Sequence, residues 1–264
     1  MNILARELRT GVKSLVIWGV IVVLFVVVGL AKFSAYANNP DLLAMLNDLP
    51  SGVLAAFNLK AFNLTTVTGF YGIMFTYYAL LLCIAAVMWG SDTVSKEERD
   101  KTVEFALTLP VTRARVVTGK ALAALANCVG LLLITWGTSI VGAASYNPDS
   151  AFYSFLALCM LALFLLQLVF LSIGILLGCA IKQYRQVTSL AVGLLLVTYF
   201  LSIVITISQN LDFLRYLTPF SYFDPVVMLH ESRLDLGFVA LCLAIVVASM
   251  AGAYYTYSRR DLYI

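Results

Sequence analysis

Long apolar runs separated by polar connectors fill most of this chain. Six of the runs are each long enough to cross a bilayer, whose hydrocarbon core requires about 20 consecutive apolar residues per helix. Because only helices and closed barrels satisfy their backbone hydrogen bonds in lipid, continuous runs of this length predict helices. We therefore predict an all-α, polytopic membrane protein whose six transmembrane helices lie at about residues 14–37, 69–90, 121–145, 151–181, 188–208 and 236–257.

The composition excludes a soluble globular chain. Of the 264 residues, 62% are hydrophobic and only 12% are charged, whereas soluble domains carry about 25% charged residues. The fourth run is the longest, and Gln167 is the strongly polar residue inside it. At about 1.5 Å per residue this helix exceeds the bilayer core, so we expect it to tilt or to project beyond the bilayer. We predict a single transmembrane domain over residues 1–264.

The distribution of Lys and Arg predicts the orientation in the membrane. With the N-terminus in the cytoplasm, thirteen of the seventeen Lys and Arg residues lie on the cytoplasmic side. Both termini and segment 91–120 are therefore predicted to be cytoplasmic, while segments 38–68 and 209–235 are external. The end of the first run resembles a signal-peptide cleavage site, but the run is longer than such peptides require, and we expect a retained helix. The expected location is the cell membrane, with multiple passes.

Three smaller patterns concern packing. Residues 2–12 place apolar side chains at near-helical spacing, which indicates either an interfacial amphipathic helix or a solvated start of the first helix. Gly174 and Gly178 form a G-x-x-x-G pattern that favours close helix packing, either within the protomer or across a dimer. The five cysteines all lie in apolar runs, and we interpret them as small apolar residues of helices.

Segment 91–120, between the second and third helices, is the most polar connector. It contains six of the seventeen Lys and Arg residues, so it cannot lie in hydrocarbon. Within it, residues 95–108 can form a short amphipathic helix that Pro110 ends, and Thr112 is a suitable N-cap for the third helix. The apolar side of the short helix either docks on a soluble partner or rests among lipid headgroups, and composition leaves both open.

This segment resembles the cytoplasmic coupling segment of ABC-2-type transporter permeases. Residues 217–224 resemble the external segment before the last helix in that family, and residues 259–262 resemble its terminal R-R-D-L. Together with the six helices, these similarities cover essentially the whole chain, although Lys101 stands where glycine is common. The matching residues of the coupling segment are Glu97, Glu98, Thr102, Glu104, Pro110, Val111, Thr112, Arg113, Gly119 and Lys120.

The resemblance implies a permease subunit of an ATP-driven ABC exporter. Such subunits form the translocation path as homodimers or heterodimers, and each binds a separate cytoplasmic ABC ATPase subunit. This chain contains no G-x-x-x-x-G-K-[ST] phosphate loop, so we expect no enzyme activity and no cofactor on it, with ATP and Mg²⁺ bound by the partner ATPase. Arg113 is expected to position the following helix, and the implied ATPase-docking residues are Glu97, Glu98, Thr102, Glu104 and Phe105.

Two other classes of protein fit the sequence less well. An enzyme active site is not indicated, because His230 is the single histidine and no catalytic motif occurs. A secondary transporter or channel without an ATPase partner is the alternative, although ion coupling usually places ionisable residues at mid-membrane. The nearly uncharged helix interiors favour a hydrophobic or amphipathic cargo, such as a drug, an antimicrobial peptide or a lipid. No nucleic-acid partner is expected.

Three polar residues inside the predicted helices have two interpretations. Asn127, Gln167 and Thr206 either form hydrogen bonds between helices, which is the simpler interpretation, or line a substrate path. The sequence alone does not place them relative to one another.

Overall fold

The structure is a computed structural model that describes residues 3–37, 62–99, 112–207 and 209–259. Within those ranges it contains α-helices and two 3₁₀ segments, Gln209–Leu217 and Pro219–Ser221, and no strand. Six helices are long and apolar enough to cross a membrane, which confirms the predicted fold class. The helices are α1 (Ile3–Ala37), α2 (Val67–Arg99), α3 (Arg113–Ala144), α4 (Ser150–Ala180), α5 (Tyr184–Ile207), α6 (Pro225–Glu231) and α7 (Leu236–Arg259).

The long helices alternate in direction. At one end of the bundle, called the inner end below, α1, α3 and α5 begin and α2, α4 and α7 finish. Contacts at this end support the alternation, since Ile3 of α1 lies beside Gly119 of α3 and Arg113 of α3 lies beside Tyr257 of α7. The inner end carries the segments predicted to be cytoplasmic. The opposite end is called the outer end, and the sidedness itself stays a prediction.

Three helices extend beyond their apolar runs at the inner end. α1 begins at Ile3, so the N-terminal amphipathic residues and the first span form one continuous helix. α2 continues to Arg99, well past Gly90, where its apolar run ends. α3 begins after Thr112, whose hydroxyl accepts a hydrogen bond from the Arg115 N–H at 3.4 Å, as predicted for an N-cap. The helices continue beyond the apolar runs because Lys, Arg and Glu are good helix formers in water.

α4 is the central helix of the bundle. α2 and α7 pack along it, whereas α1 packs mainly on α3. In the most apolar stretch of α4, 67% of the residues are buried, compared with 28% in α1. A helix that is surrounded by other helices is hydrophobic on all sides, which explains why the fourth run of the sequence is nearly free of polar residues.

Glycine residues bring α2 and α4 into backbone contact. A Cβ atom on Gly174 of α4 would lie 2.6 Å from the Val87 carbonyl oxygen, and one on Gly90 of α2 would lie 2.4 Å from the Leu171 carbonyl oxygen. Gly178 faces the Ser91 carbonyl oxygen in the same way, at 2.9 Å. The close packing predicted from the G-x-x-x-G pattern is therefore confirmed, and it lies within the protomer.

Side-chain hydrogen bonds join other parts of the bundle. Trp89 of α2 donates to the hydroxyl of Ser14 in α1 at 2.9 Å, and the hydroxyls of Tyr71 and Ser139 lie 2.8 Å apart between α2 and α3. Near the outer end, Tyr146 donates to the Leu30 carbonyl oxygen at 2.9 Å. Such bonds suit an apolar surrounding, where an unpaired polar group is costly. The five cysteines, all of them described, are buried and form no disulfide bond with one another, as expected for apolar helix residues.

Replacing Gly174 with Ala is expected to destabilise the bundle, because the new methyl group meets the backbone of α2. Overpacking of this kind costs about 1–3 kcal/mol, which lowers Tm by about 2–12 °C for a chain of this size. Thermal unfolding in detergent can be followed with a thiol-reactive dye, because the cysteines are buried in the folded protein.

Gly193→Ala is the matched control for this experiment. A Cβ atom on Gly193 meets nothing within 4 Å, and both substitutions add the same helix propensity. The difference in Tm between the two variants therefore isolates the clash. Equal Tm values would contradict the backbone contact between α2 and α4.

Candidate functional site

Polar contacts at the inner end join α2, α3 and α7. The connector that was predicted to be cytoplasmic follows α2 and precedes α3. These contacts therefore hold the helix ends on both sides of the connector. We call the group the inner junction. It consists of Thr93, Arg113, Thr118, Lys120, Tyr254, Tyr257 and Ser258.

Lys120 ties α3 to α2. Its side chain is only 4% exposed, and its Nζ atom donates to the Thr93 carbonyl oxygen at 2.6 Å. A buried ammonium group is costly unless it is hydrogen-bonded, so this bond fixes the position of both helices. The adjoining hydroxyl of Ser91 lies 3.2 Å from that of Thr188, which extends the contact to the start of α5.

Arg113 ties α3 to the end of α7. Its Nη1 atom donates to the carbonyl oxygens of Tyr257 and Ser258 at 3.3 and 3.5 Å. These carbonyl groups lie in the last turn of α7, where a helix lacks internal donors and attracts cations. One turn away, the hydroxyls of Thr118 and Tyr254 lie 2.8 Å apart. The first turns of α3 are therefore fixed to α7 as well as to α2.

A second feature is a cavity of about 310 Å³ at the outer end. α2, the last turns of α5 and the segment between α5 and α6 enclose it, and we call it the outer cavity. Its wall combines aromatic, hydroxyl and charged side chains. The polar lining residues are Thr76, Tyr77, Tyr199, Ser202, Thr206, Arg215, Ser221 and Asp224, and the aromatic residues Phe62, Phe75, Phe220 and Phe223 complete the wall.

Internal hydrogen bonds fix the fold of the segment between α5 and α6, which we call the outer segment. Arg215 donates through Nε to the Ser221 carbonyl oxygen at 2.9 Å, and Tyr222 donates through its hydroxyl to the Tyr216 carbonyl oxygen. Burial raises the pKa of the Tyr222 phenol to about 12, with a smaller contribution from the Cys242 thiol. The phenol therefore stays protonated at neutral pH and remains a hydrogen-bond donor.

Comparison with known proteins decides the family. The family described as ABC-2 family transporter protein matches residues 1–262, which is nearly the whole chain. The chain belongs to the ABC-2 transporter family. It is thus a multi-pass membrane protein and a permease component of an ABC transporter, and permeases of this family are not themselves the ATPase. No curated protein matches the chain.

The permease structure describes some of the residues that the sequence assigned to ATPase docking. Glu97 and Glu98 lie in the last turn of α2, and Arg113 lies in the inner junction. Three further docking residues lie outside the described residues, namely Thr102, Glu104 and Phe105. Residues 38–61 and 100–111 of the two connectors and residues 260–262 of the terminal motif lie outside them as well. The docking role of all six stays a prediction.

Two of the three residues proposed for a substrate path lie close together in the permease, and the third lies elsewhere. Asn127 is buried next to Gly11 of α1 in the inner half of the bundle. Gln167 is fully buried in the core, where its Nε2 atom donates to the Cys128 carbonyl oxygen at 3.5 Å. Thr206 lines the outer cavity. Gln167 therefore contacts the residue next to Asn127, whereas Thr206 lies apart from both. A role of the three residues in transport stays a prediction.

Sequence reasoning missed two charged residues of the outer cavity. Arg215 and Asp224 both line it. The feature of the sequence that could have indicated them is a pair of charged residues within an aromatic-rich segment predicted to be external. His230 is exposed near the end of α6, as expected of a surface residue. Across the described parts of the permease, no cluster of His, Cys, Asp and Glu could hold a metal ion.

Replacing Lys120 with Ala is expected to destabilise the permease, because the α2–α3 bond at Thr93 is lost. Hydrogen bonds to charged groups contribute about 1.5–3 kcal/mol, so Tm in detergent should fall by about 3–12 °C. The control is Arg115→Ala, which removes an exposed cation from the same helix and should leave Tm nearly unchanged. Equal losses in both variants would show that Lys120 does not join the helices.

Proposed function

We propose that this permease is the membrane-spanning subunit of an ATP-driven exporter in the cell membrane. It acts as a homodimer or heterodimer, and each protomer receives a separate cytoplasmic ABC ATPase on segment 91–120. The family match over residues 1–262 carries this proposal. The charged connector between α2 and α3, flanked by the inner junction, supports the position of the docking site. ATP and Mg²⁺ bind to the ATPase subunits.

The inner junction supplies a mechanical route from the ATPase to the permease. Lys120 joins α3 to α2, and Arg113 joins α3 to α7. A displacement of the connector between α2 and α3 therefore moves the ends of α2, α3 and α7 together. The connector does not move independently of these helices. Closure of two ATPase subunits would in this way favour one of two permease conformations, by binding one of them more tightly than the other.

The cargo is proposed to be hydrophobic or amphipathic, such as a drug, an antimicrobial peptide or a lipid. The described residues of the outer cavity include both aromatic side chains and hydroxyl groups, and this mixture suits an amphipathic molecule. Small-molecule sites are usually apolar with a few well-placed polar groups. An ion alone would not need the aromatic part of this wall.

Replacing Phe105 with Asp is expected to abolish co-purification of the ATPase, because a charge at the apolar contact cannot be desolvated without a partner. The tagged permease is purified from its native membrane, and the associated ATPase is measured by mass spectrometry and by ATP hydrolysis. Insertion into the membrane should be unchanged, because segment 91–120 is too polar to lie in hydrocarbon.

Phe213→Asp is the matched control for this experiment. Phe213 is an exposed aromatic residue, 67% accessible, in the segment predicted to be external. The same substitution at this position should leave the ATPase bound. Retention of the ATPase by Phe105→Asp would contradict the proposed docking site. A permease that carries no ATPase even in its native form would instead favour a channel or secondary transporter, to be tested by ion flux.

A further inference from the structure

We propose that the outer cavity binds a zwitterionic amphiphile, whose anionic group contacts Arg215 and whose ammonium group contacts Asp224. The significance of this ligand as cargo rests on the proposed export function. The binding itself does not, because the outer cavity is built from α2, α5 and the outer segment of one chain. Binding can therefore be tested on the permease without an ATPase.

Arg215 is held in a position that leaves its terminal nitrogens available to a ligand. Its Nε atom donates to the Ser221 carbonyl oxygen, and the face of its guanidinium lies 4.8 Å from the centre of the Phe238 ring. One edge and one face are thus occupied, and no described residue accepts a hydrogen bond from Nη1 or Nη2. A guanidinium that is fixed in this way can bind a carboxylate or phosphate through two parallel hydrogen bonds.

Asp224 supplies the opposite charge in the same cavity. One of its carboxylate oxygens accepts a hydrogen bond from the Val226 N–H at 2.9 Å, which caps α6. No ion pair joins Asp224 to Arg215, although both residues are described and both line the cavity. By contrast, Arg233 and Glu231 of the same external segment form an ion pair at 2.7 Å.

Two separated opposite charges select a particular class of ligand. A purely anionic ligand at Arg215 would be repelled by Asp224, and a purely cationic ligand at Asp224 would be repelled by Arg215. A zwitterion satisfies both charges at once, and its desolvation cost is offset at each end. The cavity volume of about 310 Å³ lies at the small end of the usual range for ligand sites, about 300–1,000 Å³, which fits a head group.

The rest of the cavity fits the apolar part of an amphiphile. Phe62, Phe75, Phe220 and Phe223 form much of its wall. On the outward side of the same turns of α5, Phe200 and Val204 are 60% and 46% exposed. A chain attached to the head group could therefore continue from the cavity along an apolar helix surface.

The test measures binding of dihexanoyl phosphatidylethanolamine to the purified permease in a non-ionic detergent, with dihexanoyl phosphatidylglycerol as the purely anionic comparison. The native permease should bind the zwitterionic lipid about tenfold more tightly than the anionic one. Arg215→Gln should weaken binding of both lipids by about tenfold or more. Arg233→Gln, which removes an exposed external cation that is already paired, should change neither.

Asp224→Asn keeps the proposal testable if the Arg215 variant fails to fold. Asparagine caps a helix as well as aspartate does, so this change removes the charge and leaves α6 in place. It should weaken binding of the zwitterionic lipid and strengthen binding of the anionic one, a reversal that general structural damage would not produce. Equal affinities for the two lipids in the native permease, or unchanged preferences in both variants, would overturn the proposal.

A final measurement distinguishes a lipid from a free zwitterionic solute as the ligand. The phosphodiester sn-glycero-3-phosphoethanolamine carries the same two charges without acyl chains. Binding as tight as that of the lipid would support a free zwitterionic solute, and much weaker binding would support a lipid; the preference for a zwitterion holds in either case. Because no ATPase is present, a failure here is distinguishable from a failure of ATPase docking at Phe105.

Discussion

Helices in lipid gain little by burying apolar side chains against each other, because acyl chains are equally apolar. Close backbone contact and hydrogen bonds must therefore hold the bundle together. The glycine contact between α2 and α4, at Gly90 and Gly174, is the point where two backbones touch without an intervening side chain. The other candidate features depend on it, because α2 contributes Thr93 to the inner junction and residues 72–79 to the wall of the outer cavity.

α2 thus links the two ends of the permease as one continuous helix. It has 33 residues, which corresponds to about 50 Å at 1.5 Å per residue. At the inner end it meets the predicted docking segment and is bonded to α3 through Lys120. At the outer end it faces the cavity that contains Arg215 and Asp224. A helix that is packed on α4 in this way would transmit a displacement as a rigid element, which is the physical basis of the coupling that we propose between the two ends.

The six spans, the N-cap at Thr112 and the close glycine packing could be predicted from the sequence, because hydropathy and small-residue spacing are local signals. The helix ends were less predictable, since apolar runs stop where charged residues begin while the helices continue, as α2 does to Arg99. The outer cavity could not be predicted, because residues 62–79 and residues 199–225, which are distant in sequence, form it together. For the same reason, polarity identified Asn127, Gln167 and Thr206 but could not show that Gln167 bonds to the residue next to Asn127 while Thr206 lines the outer cavity.

The most direct test of the central claim is native mass spectrometry of the assembly extracted from its own membrane. The account predicts two permease chains, either two copies of this 28.9 kDa chain or one copy with a related permease, together with two ATPase subunits and ATP hydrolysis by the same preparation. A homogeneous assembly that contains this chain and no nucleotide-hydrolysing subunit would contradict the account.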